Sequence, residues 1–220
     1  MLEIVQAGGW VMLPIVICSI VALAIIVERL WTLQERRVLP ANLSKDIWAF
    51  VKDDNLSRTQ IETLHDSSPL GQILAAGLNN RHRNREVMKE SIEDTGRHVV
   101  HELNSFLNTL GTIAAITPLL GLLGTVIGMV NVFAAITTHG VGDPSVLAGG
   151  ISEALITTAA GLCVAIPSLI GYRYLRGSIE ALVVQMEREA LTLIEALLRK
   201  QYLDTAGGQG SLARLNGVDE

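Results

Sequence analysis

The chain has 220 residues, of which 49% are hydrophobic and only 18% charged, and its mean hydropathy is +0.39. Soluble domains carry about 25% charged residues, so the composition argues against a single soluble globule and against a disordered or collagen-like chain. The net charge of -5 provides no general attraction to nucleic acid, and no nucleic-acid partner is expected.

The distribution of cations is more telling than the total. All 17 Lys and Arg fall in three blocks, Arg29 to Arg58, Arg81 to Arg97 and Arg173 to Arg214, and residues 98–172 form a run of 75 without one. A cation at a bilayer centre costs roughly 2.5–3.5 kcal/mol on insertion scales, so a membrane protein has reason to keep such a run clear.

A first membrane-spanning helix is predicted from about Trp10 to Val27, uncharged and ending abruptly at Glu28-Arg29. No basic segment precedes it and no small-residue cleavage site follows, so it reads as a span rather than a cleaved signal. In the region after it, Ser57 and Gln60 have capping-box spacing for a short helix. Ser68-Pro69 reads as an N-cap and first helical position, opening a helix to about Leu78. Asn79-Asn80 and His82–Asn84 form a polar break.

From about residue 85, Met88, Ile92, Thr95, Val99, Leu103, Phe106 and Leu110 recur at helical spacing. The pattern predicts one continuous helix over about 85–136, roughly 75–80 Å long. Its apolar end, about Leu110 to Ile136, is the second span. A loop, Thr137–Ser145, leads to the third span at about Val146 to Gly171. Leu175, Ile179, Leu182, Met186, Ala190, Leu193 and Leu197 repeat the helical spacing, carrying this helix to about Tyr202. Both stripes are expected to pack helix against helix and subunit against subunit.

Cations flank the inner ends of all three spans and are missing from Thr137–Ser145, so the positive-inside rule predicts an outside N-terminus and a cytoplasmic C-terminus. The expected fold is an all-α membrane protein of three transmembrane helices, with helices two and three extending into the cytoplasm. The expected organisation is residues 1–28 (N-terminal segment and first span), 29–105 (cytoplasmic helical region), 106–171 (spans two and three), 172–203 (cytoplasmic C-terminal helix) and 204–220 (flexible tail).

Spans two and three are rich in small and polar residues. Gly121, Gly124, Gly128, Gly161, Pro118 and Pro167 are expected to serve helix packing, the small residues permitting close approach. Glu153 is the one acid within a span, and such a group normally faces a bundle interior or a wet cavity. Counting inward from the outer loop, Thr125 and Thr158 both lie about 11 residues deep, roughly 16 Å, near mid-membrane. They could form one polar layer, or each could bond a carbonyl of its own preceding turn. Cys18 and Cys163 lie in apolar spans and read as small hydrophobes. The five histidines lie outside the spans and offer no ligand set. No nucleophile–base pair, phosphate loop, metal site or cofactor site is expected, and the chain reads as a non-enzyme.

Two stretches carry a family resemblance. Thr117-Pro-Leu-Leu-Gly-Leu-Leu-Gly-Thr-Val-Ile-Gly-Met129 and Gly149-Gly-Ile-Ser-Glu-Ala-Leu-Ile-Thr-Thr-Ala-Ala-Gly-Leu-Cys-Val-Ala-Ile-Pro167 resemble the two signatures of the ExbB/TolQ/MotA proton-channel family, and Ile25-Ile-Val-Glu-Arg29 also fits. Three spans resemble ExbB and TolQ rather than MotA, and the end of the first span leans toward ExbB. The resemblance implies a multi-pass protein of the bacterial inner membrane, assembled as a homo-oligomeric ring, a pentamer in known relatives. It implies a single-span partner of ExbD or TolR type bearing a membrane aspartate, and a TonB- or TolA-like transducer driven by the proton-motive force. It maps the motif threonines to Thr125 and Thr158 and the motif glutamate to Glu153. Thr157 is an added candidate, one turn from Glu153. A TolQ-type role in envelope integrity and a non-conducting scaffold ring are the alternatives.

Overall fold

The computed structural model describes residues 9–40, 43, 51, 57–139 and 144–215, with side chains placed except at 138–139, 144–146 and 203–215. These residues form α1 (Met12–Thr32), α2 (Glu35–Val38), α3 (Arg58–Ser67), α4 (Pro69–Asn79), α5 (Arg85–Leu103), α6 (Leu107–His139) and α7 (Pro144–Leu215). No strand occurs among the described residues. Three helical stretches are long and apolar enough to cross a membrane: Met12–Thr32, one within Arg85–Thr137 and one within Leu147–Tyr202. The chain divides into two compact units, Met1–Trp31 with Asn104–Gly177, and Thr32–Leu103 with Ser178–Glu220.

The first unit contains α1, α6 and the first part of α7. Val11, Met12 and Ile15 at the start of α1 pack against Leu120 and Ile127 of α6 and Ala160 and Val164 of α7. Further along, a Cβ at Gly171 would meet Ile26 at 2.9 Å, so α1 and α7 run alongside each other in the same direction. Many large apolar side chains of this unit are exposed, among them Leu13, Leu119, Val130, Phe133, Leu155 and Ile170. In water such a surface would drive aggregation, whereas lipid tails cover it without cost.

The second unit is built on amphipathic helices. The capping box at Ser57 and Gln60 forms as expected, with the Ser57 amide donating to the Gln60 side chain at 3.0 Å. Ser68 caps α4 by accepting from the Gly71 amide at 3.1 Å, and Pro69 occupies the first turn. All seven residues of the second stripe, Leu175 to Leu197, are buried. In the same unit Ile73, Leu74 and Leu78 of α4 and Met88, Ile92 and Val99 of α5 are buried too, and Gly77 of α4 lies against both Ile92 and Leu193. Near the end of α7, Lys200 donates to the Val51 carbonyl at 2.9 Å and Gln201 to the Arg81 carbonyl at 2.5 Å.

The expected single helix over 85–136 is broken. Asn104–Phe106 form a turn, and Phe106 adopts a left-handed backbone with φ 62°. The physical cause lies in the local sequence. Asn and Ser side chains compete for backbone bonds and weaken a helix interior. The break shifts the apolar register by one residue: Phe106 is 56% exposed, and Leu107 takes the buried place instead. A left-handed non-glycine residue costs about 1–2 kcal/mol. Part of that is offset where the Phe106 ring lies 5.3 Å from the guanidinium of Arg29, itself buried at the C-terminal end of α1. At the far end α7 holds helical geometry to Leu215, beyond the expected end near Tyr202, and residues 216–220 lie outside those described.

Candidate functional site

The face that α6 turns toward α7 is a run of small residues. Leu110, Ala114, Thr117, Gly121, Gly124, Gly128 and Val132 are all buried at spacings of three and four. On α7 the matching run is Gly150, Ala154, Thr157, Gly161, Ala165 and Ser168, and all but the half-buried Gly150 are buried. The two runs meet in antiparallel register. A Cβ on Gly121 would lie 3.0 Å from the Thr158 Cα, and one on Gly124 would lie 2.6 Å from the Thr157 Cβ. One on Gly128 would lie 3.0 Å from the Ala154 Cβ, and one on Gly161 2.8 Å from the Thr117 carbonyl. Each of the four expected packing glycines therefore sits where another helix leaves no room for a side chain.

Both prolines lie inside helices and are flanked by a hydroxyl. Thr117 donates to the Ile113 carbonyl at 2.5 Å beside Pro118, and Ser168 to the Val164 carbonyl at 2.7 Å beside Pro167. A proline leaves the carbonyl four residues earlier without its amide, here Ala114 and Cys163, so these two hydroxyls bond carbonyls adjacent to the freed ones rather than the freed ones themselves.

The candidate threonines differ in what they touch. Thr158 donates across the seam to the Gly121 carbonyl at 3.0 Å, a bond between helices. Thr125 is half-buried and donates within its own helix, to Leu122 at 2.6 Å. Since Gly124 faces Thr157 and Gly121 faces Thr158, Thr125 and Thr158 lie within about one turn of the same level. Thr157 is 1% exposed, faces Gly124, and donates back to the Glu153 and Ala154 carbonyls at 2.8 and 3.0 Å. Its hydroxyl and methyl are enclosed between α6 and α7, so within this chain it fills the seam rather than lining an open surface.

Glu153 is half-buried and lies beside Gly9, just ahead of α1, nearer the start of α7 than Thr157 and Thr158. Gly9 has φ +65°, and a Cβ there would collide with the Glu153 carboxylate oxygen. The carboxylate thus sits near the N-terminal end of α1. The sequence argument found Glu153 and the four glycines but missed the contact with Gly9, because nothing local to residue 9 signals a long-range neighbour. It also passed over Gly150, Ala154 and Thr117 as seam residues, although their spacing of three and four to the named positions was there to be read. Cys18 and Cys163 are free thiols, and no cluster of three or more His, Cys, Asp or Glu able to hold a metal occurs among the described residues.

Three apolar helices, two of them joined by a seam of glycines and hydroxyls with one carboxylate nearby, define a polytopic helical membrane protein with a polar interior. Residues 65–188 match the model of the MotA/TolQ/ExbB proton channel family, and the chain belongs to that family. It is similar to the putative biopolymer transport protein ExbB-like 1 of Synechocystis, 34% identical over 76% of this chain and 67% of that protein. It is 30% identical to biopolymer transport protein exbB1 of Vibrio cholerae, over 79% and 78% of the two chains. It is also 28% identical to the Tol-Pal system protein TolQ of Pseudomonas aeruginosa, over 79% and 80%. The protein is therefore an inner-membrane protein of a transport and channel family.

Proposed function

We propose that the chain is the channel subunit of a proton-driven inner-membrane motor, assembled as a homo-oligomeric ring with its N-terminus outside and its C-terminus in the cytoplasm. The observation that carries this reading is the seam itself. Thr158 spends its hydroxyl on the Gly121 carbonyl of the neighbouring helix, about a turn from Thr125, which supports a polar layer within the apolar spans. Polar atoms at that depth cost free energy unless they serve packing or a conduction path.

The path needs a carboxylate at mid-membrane, and this chain has no aspartate in any span. A single-span partner of ExbD or TolR type, bearing a membrane aspartate, supplies it, and the ring of Thr125 and Thr158 hydroxyls surrounds that aspartate. Glu153 stands nearer the outer side, where it relays protons toward the layer. Thr157 belongs to the packing. The motion generated is passed to a TonB-like transducer for transport across the outer membrane. Similarity to TolQ over a comparable length supports a Tol-type role in envelope integrity as the second reading.

Co-purification decides between the two, by whether an ExbD-type or a TolR-type partner comes down with the chain. For the path, Glu153→Ala is expected to abolish proton flux in vesicles holding the chain and its partner. Unchanged flux would return Glu153 to a packing role. A scaffold ring predicts no flux in any of these vesicles.

A further inference from the structure

Among the described residues no hydrogen bond or ion pair holds the Glu153 side chain. Thr157, one turn on, donates to the Glu153 backbone carbonyl at 2.8 Å and leaves the carboxylate alone. What stands against the carboxylate is bare backbone. A Cβ on Gly9 would collide with one carboxylate oxygen and lie 3.6 Å from the carboxyl carbon. A group without a directed partner points where its neighbours leave room. The missing side chain at Gly9 therefore sets where this carboxylate rests.

The Gly9 backbone is itself fixed. Its carbonyl accepts from the Met12 amide at 3.2 Å, which ties it into the first turn of α1. Val11, Met12 and Ile15 follow, all buried against Leu120 and Ile127 of α6 and Ala160 and Val164 of α7. A loose segment would yield to an added side chain. This one is anchored beside a packed cluster, so the carboxylate must yield instead. Gly9 thus meets two demands. Its φ of +65° is one that asparagine also adopts at modest cost. The room for the carboxylate is something only glycine leaves. Substitution can separate the two.

The geometry points to Gly9 as a positioning residue for Glu153. It holds open the place that the carboxylate occupies at the entry to α1, so the first span takes part in the proton path and is more than an anchor. The inference rests on the reading of Glu153 as a proton relay and adds the element that aims it.

The test compares Gly9 with Gly9→Asn, which keeps the left-handed backbone and fills the space. Glu153→Asp supplies a second background, because its carboxylate is one methylene shorter and clears the added side chain. In full-length protein, residue 153 is labelled with a hydrophobic carbodiimide and the adduct is followed by mass spectrometry. Gly9→Asn is expected to speed labelling severalfold when Glu153 is intact and to leave it unchanged in the Glu153→Asp background. Folding of Gly9→Asn only in the Glu153→Asp background would support the proposal equally. Equal effects in the two backgrounds, misfolding included, overturn it, since a general disturbance of the fold moves both. In vesicles with the single-span partner, Gly9→Asn is expected to cut proton flux about tenfold while the complex still assembles. Full flux despite faster labelling would mean that the contact does not aim the relay, and overturns the proposal. An absence of flux from the unsubstituted complex overturns the channel reading instead, and the labelling then decides the contact on its own.

Discussion

At the scale of single residues, the seam between α6 and α7 turns on the distance between backbones. Gly124 faces Thr157 so closely that even a methyl group lands 2.6 Å from its Cβ. Overpacking of this kind costs typically 1–3 kcal/mol. Gly124→Ala is therefore expected to destabilise the protein by about that amount, seen as a lower unfolding midpoint in detergent. Gly149 is the control, because a Cβ there meets nothing within 4 Å. Gly149→Ala is expected to be neutral or stabilising by up to about 1 kcal/mol. Equal effects of the two changes would mean that the glycines serve flexibility and not close approach. Thr158→Val removes the hydroxyl with little change of shape. It is expected to cost about 1 kcal/mol through the lost bond to Gly121, whereas Thr157→Val, which loses only bonds within its own helix, costs less.

The helices show what local pattern can and cannot specify. The stripe from Leu175 to Leu197 was legible because each apolar residue sits at helical spacing with nothing to interrupt it, and every member is buried. The caps at Ser57 and Ser68 were legible because a hydroxyl three residues ahead of its amide partner is a purely local signal. The break after Leu103 was not. Asn104-Ser105 is a weak helix interior but not a forbidden one, and apolar spacing runs straight across it. What stabilises the turn is the Phe106 ring against the buried Arg29, a contact between residues far apart in the chain. That Thr125 and Thr158 lie near one level followed from counting along two helices, whereas the bond from Thr158 to Gly121 needed their packing. The left-handed backbone at Phe106 makes a prediction that reverses the usual helix ranking. Phe106→Gly and Phe106→Ala both lose the ring, but glycine adopts φ 62° freely. Phe106→Gly is expected to be more stable than Phe106→Ala by about 1 kcal/mol. If alanine proves the more stable, position 106 does not hold a left-handed turn.

At the scale of the whole molecule, the low charge and the cation-free run over 98–172 are explained by membrane residence, and family membership gives that residence a purpose. The chain offers hydroxyls on both α6 and α7, one glutamate nearer the start of α7, and no aspartate in a span. On the proposed account it conducts only with a partner that brings the missing carboxylate. The most direct test is proton flux in vesicles under an imposed pH gradient, with the chain alone, with its single-span partner, and with the partner plus Thr125→Val and Thr158→Val. The account predicts flux only when both proteins are present, reduced at least tenfold by the two threonine changes while the complex still assembles. Flux from the chain alone, or flux with its partner that the threonine changes leave untouched, would contradict it.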